Sequence, residues 1–295
     1  MKVTHSILLV ALLSLLSGCK LVDLQTKTLK KEGLQEAKIA EGKALLDKAW
    51  QAQGMDKMHA HATYRVVAED HWKGLLGRLG KVWPDLRTDL QLDYAINTFD
   101  SRVKFLNGKK EGTLAGLQSW QYYEQAPGGD IAFLDKADKN IRFGLAAFQY
   151  FFELGDRLKR APIITAITPA EREGQMYDRV FATWNTTKAH VESDQYRVWI
   201  NRDTGLIDFA EFTVRDTPLK APGAKAFYGS IHFDDFREIN GVLIPFEQFI
   251  FINGLKKDRK FLHKLTIADF EFDVVDLATL RPNAQLDLVG DAKTE

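Results

Sequence analysis

Residues 233–252 read FDDFREINGVLIPFEQFIFI, two apolar-rich runs divided by Asn240-Gly241. Asn-Gly favours the left-handed backbone of a tight hairpin turn, so the two runs are expected to pair as antiparallel strands. Beyond the turn, Val242, Ile244, Phe246, Ile250 and Ile252 occupy one phase of the alternation, and Leu243, Phe249 and Phe251 occupy the other. A strand apolar in both phases needs cover on both faces. Upstream, Tyr196, Val198 and Ile200 alternate with Gln195, Arg197 and Asn201, the pattern of a half-buried strand. In 206–215 the apolar phase switches from Ile207 and Phe209 to Phe212 and Val214, as it does across a bulge in a strongly curved strand.

The same reading extends over most of the chain. Strands are expected at 59–69, 90–99, 101–106, 113–124, 131–135 and 139–143, then at 163–168, 175–185, 189–200, 206–215, 225–236, 242–252 and 260–274. Asn107-Gly108, Gly128-Gly129, Asp203-Thr204-Gly205 and Asn253-Gly254 supply turns between neighbours. Helical spacing governs 32–53, where Leu34, Ala37, Glu41, Leu45, Ala49 and Ala52 recur at intervals of three and four and Gly54 follows as a C-cap. Two further helical stretches lie near 71–83 and at 144–159. In the latter, Leu145, Phe148, Phe152 and Leu158 fall close to one face with Phe151 beside them. The expected fold is mainly β with α: a strongly curved antiparallel sheet, an open half-barrel of about 11 strands, covered on its concave face by a few helices.

Composition narrows the function classes. Forty Lys and Arg balance forty Asp and Glu, which argues against nucleic acid as a partner, because phosphate binding draws on a basic surplus. A single cysteine cannot form an intrachain disulfide or a Cys-rich metal site. Phenylalanine is abundant: 19 residues, against 8 Tyr and 6 Trp. So much apolar ring must fill either a core or the wall of a ligand cavity.

The lone cysteine is Cys19, behind a basic Lys2 and an apolar run from Ile7 to Leu16. That run has the length of a signal-peptide core and is too short to span a bilayer. Leu16-Ser17-Gly18-Cys19 resembles the bacterial lipobox, so residues 1–18 are expected to be a signal peptide and Cys19 the lipidated mature N-terminus. Removing 1–18 takes away one lysine and leaves a charge of −1. Residues 19–31 are polar and basic and are expected to be a tether, with 32–295 forming one domain. Lys20 follows the cysteine where enteric inner-membrane lipoproteins carry Asp. By that resemblance, if the source has two membranes, the protein is expected on the periplasmic face of the outer membrane.

The stretches Arg197-Val198-Trp199-Ile200-Asn201-Arg202-Asp203-Thr204-Gly205-Leu206 and Phe233 to Phe246 resemble the hairpins of the LolA/LolB-like lipoprotein-carrier superfamily. In that superfamily a strand ending in a D-x-x-T-G-like turn precedes an f-x-d-y/f-r-x-x-n-G-v-x-i-P strand pair. The resemblance implies an open half-barrel that carries lipid or lipoprotein acyl chains.

Several residues are singled out for function. Phe148, Phe151 and Phe152 are expected to form the inner face of a lid over the cavity. In His71–Trp83, Trp72, Leu75, Leu76, Leu79 and Trp83 are expected on one face of a basic amphipathic helix that touches the membrane or gates the cavity. His59 and His61 share a strand face but are too few for a zinc site, and no metal or cofactor is expected. Neither a G-x-S-x-G elbow nor a phosphate-binding glycine loop is present, so no catalytic residue is assigned and enzymatic activity is not expected. The leading expectation is a lipid-anchored, extracytoplasmic protein that binds an acyl ligand at the envelope. Its partners are the membrane and, in addition, other envelope proteins. The alternative is a structural or interaction lipoprotein with a fully packed core.

Overall fold

The computed structural model describes residues 21–215, 224–255 and 260–290. Thirteen strands form one sheet: β1 (Thr63–Trp72), β2 (Arg87–Ala95), β3 (Ser101–Phe105), β4 (Leu114–Gln118), β5 (Gln121–Gln125), β6 (Ile131–Phe133), β7 (Ile163–Arg172), β8 (Gln175–Thr183), β9 (Gln195–Asn201), β10 (Ile207–Phe212), β11 (Gly229–Ile239), β12 (Val242–Ile252) and β13 (His263–Phe272). Helices are α1 (Lys27–Glu32), α2 (Glu36–Gln53), α3 (Met55–Met58), α4 (Gly74–Gly80), α5 (Lys139–Phe152), α6 (Leu154–Lys159) and α7 (Leu277–Leu280).

The strand order is β6-β5-β4-β3-β2-β1-β13-β12-β11-β10-β9-β8-β7, antiparallel throughout and open at β6 and β7. The chain therefore starts at the middle of the sheet, meanders to one edge, crosses to the other edge through α5 and α6, and meanders back until β13 meets β1. Thirteen strands at roughly 4.8 Å spacing would make a flat sheet nearly 60 Å wide. The 20 residues of α5 and α6 span only about 30 Å, so the crossover is short for a flat sheet and matches a curled one. Register shifts at Val67/Ala68, Ile167/Ala170 and Ile207/Phe209 supply the bulges that curvature needs.

Alternation assigns the two faces. On the concave side, one buried cluster joins Tyr64, Val66, Leu90, Leu92 and Tyr94 to Ile141, Leu145 and Phe152 of α5. A second joins Val180, Val198, Ala210 and Ile231 to Leu46 and Ala49 of α2 and to Leu154 and Leu158 of α6. Gly42 lets α2 lie directly on β7: a Cβ there would stand 2.6 Å from the Ala166 amide nitrogen. On the convex side, Tyr177, Trp199, Phe209, His232 and Phe249 run ring against ring across β8 to β12, and Phe261, just ahead of β13, continues the row. Arg179 covers Trp199 and Lys264 covers Phe249. This capped aromatic stripe explains why β12 is apolar in both phases, since cationic stems shield the rings over these strands.

Four sequence expectations change. Residues 139–143 open α5 instead of forming a strand, because the Asp138 carboxyl accepts from the amides of Asn140 and Ile141 and caps the helix. Residues 113–124 split into β4 and β5 at Ser119-Trp120, both with positive φ. The count thus reaches thirteen, above the expected eleven or so. Residues 21–31 are more than a polar tether: α1 forms, and Leu24 and Leu29 pack on Ile167 and Phe181 of the convex face. From there the chain passes around the β7 edge to place α2 on the concave face, which covers an otherwise open edge strand. Finally, β1 runs through Trp72, so only Gly74–Gly80 of the expected 71–83 helix is helical.

Candidate functional site

At the end of the half-barrel where β1, β11, β12 and β13 meet α4, the concave face is left partly unfilled. There a cavity of about 200 Å³ is lined by Phe143, Ala147, Phe148 and Phe151 of α5, by Phe212, Ile231, Ile250 and Leu265 of the sheet, and by Trp72, Val82, Phe227 and Leu262 near the rim. Aligned rows show its depth. Gly229 pairs with Ile252 at the outer end; Ile231, Ile250, His263 and Trp72 form the next row; Phe233, Gln248, Leu265 and Asp70 form the row inside it.

Two polar side chains interrupt this wall. His263 turns Nδ1 to Asp70 Oδ1 at 3.0 Å and stacks on Trp72, ring centroids 4.0 Å apart. Trp72 Nε1 donates to the other Asp70 oxygen at 2.6 Å. Gln248 lies in the inner row, and its Nε2 is buried without a hydrogen-bond partner. Sequence reasoning missed this group. The available signal was a lone glutamine in the apolar phase of β12, but Asp70 and His263 are 193 residues apart and only the sheet brings them together.

The lid candidates separate. Phe148 and Phe151 line the cavity, whereas Phe152 turns into the core against Tyr64, Tyr94 and Phe270. The helix is also held down at its C-terminal end. Buried Glu153 accepts from Tyr64 Oη at 3.2 Å, Gln149 Nε2 at 2.9 Å and Arg157 Nη2 at 2.6 Å. Arg157 donates in turn to the Thr98 carbonyl at 2.6 Å. Burial holds the Glu153 carboxyl above its ordinary range, with Arg157 opposing the rise. One face of α5, from Phe143 to Phe151, thus roofs the cavity while the chain just past the helix is bolted to β1 and the β2–β3 turn.

The five membrane candidates do not share a helical face. Trp72 and Trp83 are buried, 6% and 1% exposed, whereas Leu75, Leu76 and Leu79 are 72%, 56% and 60% exposed. Trp72 ends a strand and Trp83 packs on Phe105 and Phe148. Of the five, only the leucines of α4 reach solvent, with Lys73 and Arg78 beside them in sequence. Cys19 lies outside the described residues. Val22, three positions on, donates its amide to the Lys225 carbonyl at 3.1 Å, and its carbonyl accepts from Arg215 Nη2 at 2.6 Å. The N-terminal segment therefore runs beside Val214 and Phe227, two rim residues.

His59 and His61 part company, bonding Asp156 at 2.9 Å and Asp273 at 2.6 Å. Among the described residues no group of three or more His, Cys, Asp or Glu is placed to hold a metal, and no helix is long and apolar enough to cross a membrane.

No protein-family model matches the chain, and no curated protein matches it in sequence. Solved structures do resemble it. A DUF1329 family protein from Desulfovibrio piger superposes with a TM-score of 0.51 at 12% identity, over 82% of this chain and 97% of that one. The two share a fold. A LolA superfamily protein from Nitrosomonas europaea (TM-score 0.49, 12% identity, 81% and 96% of the two chains) and an outer membrane lipoprotein-sorting protein domain from Vibrio parahaemolyticus (0.46, 8%, 80% and 97%) are also neighbours.

Proposed function

We propose that this protein is a lipid-anchored, extracytoplasmic binding protein that holds an acyl chain in the cavity beneath α5 and exchanges it with a membrane. The observation that carries this reading is the apolar cavity lined by α5, the sheet and exposed Phe227, with Val22 of the N-terminal segment bonded to Lys225, near Phe227 in the chain. Cys19 precedes Val22 by three residues, a reach of about 10 Å at full extension, so an acylated cysteine would hold the rim against the bilayer that anchors it. Three exposed leucines beside Lys73 and Arg78 suit insertion at a lipid headgroup boundary. Binding rests on burial, about 0.8 kcal/mol per methylene, and needs no covalent step. The packed-core alternative accounts less well for an apolar space left unfilled next to a solvent-exposed apolar rim.

The test is transfer of a pyrene-labelled acyl lipid between vesicles by the domain lacking residues 1–19. Wild type is expected to accelerate transfer. The triple change Leu75→Asn, Leu76→Asn and Leu79→Asn is expected to lower vesicle binding far more than it lowers Tm, because these side chains are mostly exposed. No acceleration by wild type would overturn the reading.

A further inference from the structure

An apolar cavity that served hydrocarbon alone would have no use for a buried primary amide. Gln248 is 4% exposed, lines the cavity, and leaves Nε2 without a partner. Such a group is costly where water is excluded, and natural interiors satisfy nearly all of them. One row outward on the neighbouring strand, His263 also lines the cavity, its Nδ1 committed to Asp70 and its ring clamped against Trp72. Asp70 is fully buried and held by both His263 and Trp72. The imidazole is thereby fixed in orientation, with Nε2 as its remaining polar atom. The amide and the imidazole are diagonal neighbours on one sheet face, since Ile250 pairs with His263 and Gln248 with Leu265. Side chains in that relation stand about 7–8 Å apart at Cα and can reach one small group between them.

We propose that Gln248 and His263 form a polar seat for the acyl carbonyl group of the bound ligand, which enters head-inward and leaves its chain along Ile250, Phe151 and Phe227 toward the rim. Gln248 Nε2 donates to the carbonyl oxygen. His263 Nε2 takes the second position, as acceptor from a carboxylic acid hydroxyl or as donor to a second oxygen. The seat makes the site selective for acyl groups over plain hydrocarbon. This inference rests on the carrier reading and deepens it by naming the group that is recognised. A free fatty acid and an esterified chain both offer the carbonyl.

The experiment is displacement of the apolar dye N-phenyl-1-naphthylamine by dodecanoate, methyl dodecanoate and dodecane, using wild type, Gln248→Met and His263→Phe. Wild type is expected to bind at least one acyl compound roughly tenfold tighter than dodecane, equivalent to one well-made hydrogen bond. Preference for dodecanoate alone assigns a free acid, and equal preference for the ester assigns an esterified chain. In both variants the acyl preference is expected to fall to within threefold, with dodecane unchanged. Because the unpaired amide has been removed, Gln248→Met is also expected to raise the Tm of the ligand-free protein by about 2–4 °C. Equal affinity for all three compounds in wild type, or acyl preference surviving in both variants, would overturn the seat while leaving the carrier reading standing. A fall in the Tm of Gln248→Met would assign the amide a structural role and overturn it too. If no compound displaces the dye from wild type, the carrier reading fails and the seat with it.

Discussion

Ala147→Leu separates a binding cavity from a packing defect. Ala147 lies on α5 and faces the cavity between Phe143 and Phe151. Leucine adds three carbons there with almost no change in helix propensity. If those carbons occupy the space of three ligand methylenes, affinity falls by about 2.4 kcal/mol at roughly 0.8 kcal/mol each, or about 60-fold. The same carbons fill empty apolar space in the ligand-free protein, so stability is expected to hold or rise. The two effects therefore have opposite signs. Dodecanoate affinity by dye displacement and Tm by scanning calorimetry measure them on one sample. Affinity within twofold of wild type in a folded variant would refute placement of the ligand beneath α5. A large loss of stability would refute the claim that the space is empty.

Other outcomes follow from the packing. Gly42→Ala improves helix propensity yet is expected to cost about 1–3 kcal/mol in urea unfolding, because its Cβ would meet the β7 backbone at 2.6 Å; a stabilised variant would contradict the docking of α2. For Glu153, folded and unfolded carboxyls are both protonated well below the ordinary value of 4.5. As pH rises the unfolded chain ionises first, so the stability of Glu153→Gln relative to wild type is expected to increase with pH above that value. A difference that stays flat or falls would show that Arg157 outweighs burial. Trp72→Ala is expected to lower Tm as well as binding, since the indole holds both Asp70 and His263; an unchanged Tm would place Trp72 outside the core.

How much of this was legible depended on sequence distance. Asn240-Gly241 joins strands that lie beside each other in the chain, so β11 and β12 could be read from the turn alone. Gly54 ends α2 in the left-handed conformation expected of a C-cap. The run 139–143 misled because Ile141 and Phe143 alternate like a strand, while the capping Asp138 and the spacing Ile141, Leu145, Phe148, Phe152 belong to a helix. The spacing of Trp72, Leu75, Leu76, Leu79 and Trp83 suited a helix equally well. Its ends were claimed by strand β1 and by the core beneath α5, and periodicity carries no information about either. The pairing of β1 with β13 was hidden for another reason. It closes the meander across some 200 residues, and with it came the Asp70–His263 contact and the cavity's polar seat.

Native mass spectrometry of the full-length protein, extracted from its own membrane in mild detergent, tests the central claim most directly. The expected result is a mass that includes an acylated Cys19 and a second, dissociable mass of an acyl lipid, which Ala147→Leu loses while keeping the anchor. Wild-type protein that carries its anchor, releases no lipid and takes up none on incubation with dodecanoate would contradict it.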